Sequence, residues 1–279
     1  MGIRKAKPTT PGLRHASFDT FSDVTRQDPE KSLLLPKKSS GGRNAQGKIT
    51  VRHRGGGAKR AIRIVDTKRD KFGIPARVAE IEYDPNRGAR LALLNYVDGE
   101  KRYIVMPTDI KVNDKLLSSQ EKIEIKNGNA MPVKYIPAGI AVHNVELEPG
   151  KGGKIARGAG NSVYVMGTEG SFSQLKMPSG EIRLVKAECM CTVGQVSNAD
   201  KRHISIGNAG RKRHMGFRPT VRGTVMNPVD HPHGGGEGNQ SIGLKRPKTP
   251  WGKPALGVKT RKNHRTERLI VKRRGGSKK

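Results

Sequence analysis

Acidic residues almost vanish from the end of this chain. Its last 79 residues hold 21 Lys and Arg against only Asp230, Glu237 and Glu267. An ordinary solvated enzyme face mixes both signs, so this imbalance points to a polyanionic partner. Aromatic residues are scarce too, at 4%, and hydrophobic residues reach only 33% of the 279 positions. That excludes a single well-filled core of this length, and 35 Gly with 17 Pro require much turn and irregular backbone. Roughly half the chain is expected to be compact, the rest ordering on a partner. Two cysteines, Cys189 and Cys191, are too few for a disulfide framework. At i and i+2 on a strand they share a face, where bridging them distorts the backbone. They read as small core residues in a reducing compartment. No stretch approaches the roughly 18 apolar residues of a membrane-spanning helix. The basic start at Met1–Pro11 has no apolar run behind it, so it does not read as a secretory signal, and a cytosolic location is expected.

What is present is charge, unevenly placed. Residues 1–60 carry 14 Lys and Arg against 4 acids, residues 61–200 carry 20 against 17, and residues 201–279 carry a net of +18. A near-neutral middle flanked by basic arms suits a folded region embedded in a polyanion.

The middle shows strand patterning. Ile62 and Ile64 alternate with Arg63 and Val65, and Ala79, Ile81 and Tyr83 alternate with Glu80 and Glu82. Leu91–Val97, Asp98-Gly99 and Lys101–Met106 read as a hairpin, because Asp-Gly supplies the positive φ of a tight turn. Ile123 and Ile125 precede a second turn signal, Asn127-Gly128, and Pro132–Val142 opens a further unit. Val163–Met166, Ser171–Lys176, Glu181–Val185 and Cys189–Val193 are four more strands, with turns at Gly167–Gly170 and Pro178-Ser179-Gly180. The expected fold is mainly β: two consecutive small β-barrels over 61–130 and 131–200, with a basic extension at 1–60 and another at 201–279. No long amphipathic helix is evident.

Four segments could carry chemistry. In Val51–Arg60, the charges of Arg52, Arg54, Lys59 and Arg60 and the ring of His53 surround Gly55, Gly56 and Gly57, whose backbone can approach a phosphate closely. The bland alternative is a flexible basic linker. Gly150–Gly160 holds Lys151, Lys154 and Arg157 but lacks the Lys-Ser/Thr and spacing of a nucleotide phosphate loop. It reads as a basic loop entering a nucleic-acid groove, or as a simple exposed loop. In Gly210–Gly223, Arg211, Lys212, Arg213, Arg218 and Arg222 alternate with Gly and Pro, an extended run suited to bidentate phosphate contacts. Asn227–Gly238 sets His231 and His233 near Asp230 and Glu237. Metal ligation lacks a rigid element to fix the geometry, and acid–base catalysis lacks an identifiable nucleophile. A tight loop whose histidines hydrogen-bond or stack on bases fits better.

Asn227–Gly238 reads NPVDHPHGGGEG, and this twelve-residue wording resembles the signature of the bacterial-type family of large-subunit ribosomal protein L-two. RPTVRGTVMN (218–227) runs into it and TPWGKP (249–254) follows. KPTTPGLRH (7–15) and RHRGGGAKR (52–60) resemble the family's N-terminal arm. The resemblance covers nearly the whole chain. It implies an oligonucleotide-binding-type barrel followed by an SH3-like barrel, with basic extensions in large-subunit ribosomal RNA. It further implies a primary rRNA binder serving assembly, subunit association and the peptidyl transferase region, in contact with neighbouring ribosomal proteins and the small subunit. By the same resemblance His231 and His233 would lie toward the active RNA core, and Asn227, Gly234, Gly235, Trp251 and Lys253 are further candidate rRNA contacts. Trp251 stacks on a base in one reading and packs on its own prolines in the other.

The chain departs from the family at His214, where many members have Trp, at Asn239-Gln240, where a basic residue is common, and in the wording of the tail 261–279. No enzyme activity, cofactor, metal or homo-oligomer is expected. A free nucleic-acid chaperone or compacting protein is the rival reading. It predicts repetitive Lys/Ala/Pro wording, which 201–279 lacks.

Overall fold

A computed structural model describes residues 2–274; the last five residues of the basic tail lie outside the described residues. Two compact units emerge. The first comprises residues 2–38, 59–208 and 266–274, and the second Ser39–Ala58 and Ala209–Arg265.

The first unit is built of short strands. A hairpin of β1 (Ile3–Lys5) and β2 (Ser17–Asp19) begins it, and β3 (Leu34–Pro36) pairs with β4 (Ala61–Arg63). Next come β5 (Ala76–Glu82), β6 (Leu91–Tyr96), β7 (Lys101–Val105) and β8 (Lys115–Leu116), an antiparallel sheet in the order β7-β6-β5-β8. Asp98-Gly99 makes the expected turn: Gly99 has φ 85°, and its N–H donates to Tyr96 O at 3.0 Å. β6 is buried on both faces. Ala92, Leu94 and Tyr96 join Val78, Ile81 and Ile104 in one core, while Leu91 and Leu93 meet Tyr103 on the other side.

A second antiparallel sheet uses β9 (Ala130–Pro132), β10 (Ala141–His143), β11 (Val163–Glu169), β12 (Phe172–Lys176), β13 (Ile182–Lys186), β14 (Met190–Val193) and β15 (Ile270–Lys272). Its order is β15-β13-β12-β11-β10-β14-β9. Val142, Val163, Val165, Leu175, Val185 and Val193 fill its core. Cys189 and Cys191 lie in that core as free thiols; burial pushes Cys189 up to about 12 and Cys191 further in the same direction. A small cluster of Ala89, Val105 and Val196 joins the two sheets, and Ser197 N–H donates to Met106 O at 2.9 Å. The architecture is mainly β, an oligonucleotide-binding-like domain followed by an SH3-like one.

Several sequence expectations need correction. A bulge between Val78 and Glu80 shifts the register of β5, so core-facing Val78 and Ile81 stand three apart instead of two. Glu82 is consequently buried and accepts a 2.7 Å hydrogen bond from Tyr103 Oη, and burial raises its pKa. Tyr83 falls outside the strand and meets Phe21 edge to face at 5.3 Å. On β4 the alternation is inverted: Arg63 is buried while Ile62 is exposed. Ile123 and Ile125 form no strand; Ile123 instead packs on the second core.

Residues 2–38 are fastened to the first sheet by charge. Arg90, 1% exposed, donates from Nε to Asp23 at 2.9 Å and from Nη2 to Asp19 at 2.8 Å. Its guanidinium also lies 5.0 Å from the Phe21 ring centre. His143 is buried with Nδ1 2.9 Å from Gly194 O, and desolvation pushes its pKa down to about 4.

Candidate nucleic-acid interface

The second unit carries 17 Lys and Arg against two acids, a net of +15 over 77 residues. His231 is the one buried residue in it. No hydrophobic core holds this unit, so backbone contacts must. Arg54 and Phe217 form an antiparallel bridge, Gly55 N–H donates to Gly216 O, Ala58 N–H to His214 O, and Arg218 N–H to His53 O, each at 3.1 Å. Gly57 makes this clasp possible. It has φ 88°, and a Cβ there would stand 2.8 Å from Gly216 N and 2.9 Å from His214 O. The short helix α1 (Ala209–His214) supplies that carbonyl and carries Arg211, Lys212 and Arg213. Lys212 and Arg213 are exposed and Arg211 half-buried.

Above the clasp lies a concavity of about 750 Å³ lined by Arg43, Arg52, Arg54 and Arg218, with His53 and the Gly55-Gly56 backbone. Neither Asp nor Glu lines it. The Arg54 guanidinium sits 4.3 Å from the centre of the Phe217 ring, a cation–π contact that fixes its direction. Arg52 lies 5.4 Å from the ring centre of Trp251, a residue 75% exposed. Such a set of fixed guanidinium groups, unopposed by carboxylates, suits phosphate oxygens.

The signature loop is wound on its own histidines. His231 Nδ1 accepts the His233 N–H at 3.0 Å, and His233 Nε2 accepts the Lys248 N–H at 2.8 Å. Their rings meet edge to face at 4.7 Å. Gly234 N–H returns to His231 O at 2.8 Å and Gly235 N–H to Met226 O at 3.1 Å, while Asn227 O accepts from Asp230 and His231. Each imidazole thus spends its acceptor nitrogen on backbone, which gives the histidines a turn-holding role and no free base nitrogen. Asn227, Arg222 and Lys253 stay exposed at the surface.

Five of the sequence-predicted site residues belong to the first unit: Lys59, Arg60, Lys151, Lys154 and Arg157. Arg60 Nη1 donates to Pro85 O at 3.0 Å. The 150–160 loop does not offer its backbone outward. Gly150 and Gly152 donate their N–H groups to the buried carboxylate of Glu146 at 3.1 and 2.8 Å. What it presents are the exposed side chains of Lys154, Arg157 and Lys151, the last paired with Glu148.

The other seventeen predicted residues fall in the second unit. Sequence reasoning missed Arg43, Phe217 and Glu146. Arg43 had a usable signal, a cation flanked by Gly41-Gly42 and Asn44. Phe217 had none, since its role depends on Arg54 far along the chain, and Glu146 read as an ordinary acid because nothing local shows that it is buried beneath Gly150 and Gly152 and reaches Met190.

Comparison with known families gives two matches. Residues 30–118 match the family model described as the RNA-binding N-terminal domain of ribosomal proteins L2. Residues 126–252 match that of their C-terminal domain. The first span contains the Arg52–Arg60 segment; the second contains the 150–160 loop, the signature loop and Trp251.

Proposed function

The chain belongs to the ribosomal protein L2 family, RNA-binding proteins of the large ribosomal subunit, and on that premise we propose how it holds RNA and to what end. The second unit neutralises converging phosphates of large-subunit ribosomal RNA, and the two β domains, taken as 61–130 and 131–200, anchor it. The observation carrying this reading is a unit of net +15 that lacks a hydrophobic core and lines a concavity with four arginines. Like charges at this density repel one another, and polyanion binding turns that repulsion into attraction with release of counterions.

The predicted contacts are the side chains of Arg52, Arg54, Arg211, Lys212, Arg213, Arg218, Arg222 and Lys253, with Lys59, Arg60, Lys151, Lys154 and Arg157 from the first unit. The binding supports subunit assembly, subunit association and the peptidyl transferase region, beside neighbouring ribosomal proteins and small-subunit contacts. The protein acts as a single copy in a cytoplasmic ribosome. Its role is structural: the histidines of the signature loop shape backbone and do no chemistry, a reading supported by their engaged acceptor nitrogens.

Binding of the full chain to a large-subunit rRNA fragment, followed against salt, tests this. With about ten phosphates engaged, log K should fall against log salt with a slope of about −7 to −9. Replacing Arg52, Arg54 and Arg218 together by Gln should reduce the slope by roughly 2 to 3. A flat salt response, or migration apart from large subunits on a sucrose gradient, refutes the proposal.

A further inference from the structure

Trp251 is the single tryptophan of the chain. It sits on a hydrogen-bonded turn: Thr249 N–H donates to Lys253 O at 2.7 Å and Gly252 N–H to Thr249 O at 2.9 Å, beside a bridge of Lys248 with Pro254. The turn holds the backbone, yet the residue is 75% exposed. That exposure rules out an indole packed into Pro250 and Pro254. A large aromatic surface left in water on a fixed turn is costly unless something covers it.

The neighbourhood says what. Arg52 places its guanidinium 5.4 Å from the indole centre and also lines the arginine concavity. One side chain therefore belongs both to the aromatic surface and to the anion-attracting hollow. Arg54, held on Phe217, and Arg218 line the same hollow. A flat apolar surface joined to a cluster of cations matches a single nucleotide: a base to stack, a phosphate to pair.

We propose that Trp251 with Arg52, Arg54 and Arg218 forms a site for one unstacked RNA nucleotide. The base lies on the open indole surface, and its phosphate enters the concavity. The inference rests on the RNA-binding reading above and narrows it. A base inside a duplex is already stacked on both faces, so the site selects single-stranded or bulged RNA. Because every base has a π-face, it is tolerant of sequence. Trp251 supplies stacking only, whereas the arginines supply charge. The two contributions separate by their salt dependence.

The lone tryptophan makes the test site-specific. Full-length protein, excited on the red edge of tryptophan absorption, is titrated with a short single-stranded oligouridylate. Parallel titrations use an abasic oligomer with the same number of phosphates and a blunt RNA duplex. Oligouridylate should quench the emission, and the other two should bind with little change in it. By anisotropy of a labelled oligouridylate, Trp251→Ala should bind about 5- to 100-fold more weakly with an unchanged salt slope. Trp251→Phe should recover most of the loss. Arg52→Gln should instead lower the slope by roughly 0.7.

Oligouridylate binding without an emission change, wild-type affinity in Trp251→Ala, or equal quenching by the duplex overturns the site while leaving the RNA reading intact. Binding to neither the oligonucleotide nor an rRNA fragment overturns both.

Discussion

Glu146 offers the sharpest test of how the basic 150–160 loop is held. Its side chain is 1% exposed. Oε1 accepts the N–H of Gly152 at 2.8 Å, and Oε2 accepts those of Gly150 and Met190 at 3.1 Å each. One carboxylate thereby ties the loop to the first residue of β14. Glu146→Gln keeps size and shape but alters the bonding. With the amide oxygen in the place of Oε2, two bonds survive as neutral ones, each weaker by about 1 kcal/mol. The amide NH₂ then faces the Gly152 N–H, donor against donor, and strands a buried N–H at about 1–3 kcal/mol. Relief from burying a carboxylate offsets part of this. The net expectation is a destabilisation of about 2–4 kcal/mol.

Urea unfolding followed by far-ultraviolet circular dichroism measures the change. With m of about 2 kcal/mol/M, the midpoint should drop by about 1–2 M. Hydrogen exchange should accelerate at the amides of Gly150, Gly152 and Met190 and little elsewhere in the second sheet. RNA affinity should fall only a few-fold, because Lys151 and Lys154 attract phosphates from a distance even when the loop is loosened. A stability loss below about 1 kcal/mol, with exchange unchanged at those three amides, refutes the claim that this carboxylate organises the loop.

Arg90→Ala should cost about 3–5 kcal/mol in thermal or urea unfolding, because Asp19 and Asp23 would face each other without their cation; a loss under 1 kcal/mol would show that the N-terminal segment is held by other means. For His143 the native pKa of about 4 lies below the ordinary 6.5, so between those values the unfolded chain binds a proton that the folded one does not. Stability should therefore rise with pH across that window, by on the order of 3 kcal/mol, and level off above it. His143→Gln should flatten the profile, and an unchanged slope in that variant would assign it elsewhere. In RNA-free protein, amides of Ser39–Ala58 and Ala209–Arg265 should exchange much faster than those of β6 and β11 and gain protection on rRNA binding. Equal protection before RNA is added would contradict partner-dependent ordering.

Much of the β architecture was legible because its signals are local. Asp98-Gly99 between two apolar runs specifies a hairpin by turn chemistry alone. The alternation of Val163, Val165, Leu175 and Val185 likewise specifies a half-buried sheet. The failures involve partners far along the chain. Nothing near Val78 announces the bulge that turns Glu82 inward toward Tyr103. The acids Asp19 and Asp23 look like incidental charges in a basic arm until Arg90, some seventy residues later, is placed between them. Strand β15 is three residues long and too short for a period, and only the exposed edge of β13 makes it a strand. The candidate site was legible in its residue types, because glycine, arginine and histidine wording survives any folding. Its assembly was not, since 150 residues of intervening chain, 59–208, separate 39–58 from 209–265.

That pairing changes the meaning of the charge distribution. Read along the sequence, the positive charge lies in two arms. In space, Ser39–Ala58 leaves the N-terminal stretch and joins Ala209–Arg265, while Asp19, Asp23 and Glu30 pair with Arg90, just ahead of β6, and Lys101 of β7. The first unit gains apolar burial and internal ion pairs, the terms from which a self-supporting fold is built. The second retains +15 and a single buried side chain, His231. Hydrophobic burial cannot offset the entropy of ordering 77 residues when almost none is made. Its glycine clasp, arginine–aromatic contacts and histidine-capped turn define which conformation is adopted, but their net worth is a few kcal/mol. The proposal assigns the remaining stabilisation to anions entering the concavity. On the proposed reading, recognition and folding in this unit are one process, in which bound phosphates supply the cohesion that its sequence omits.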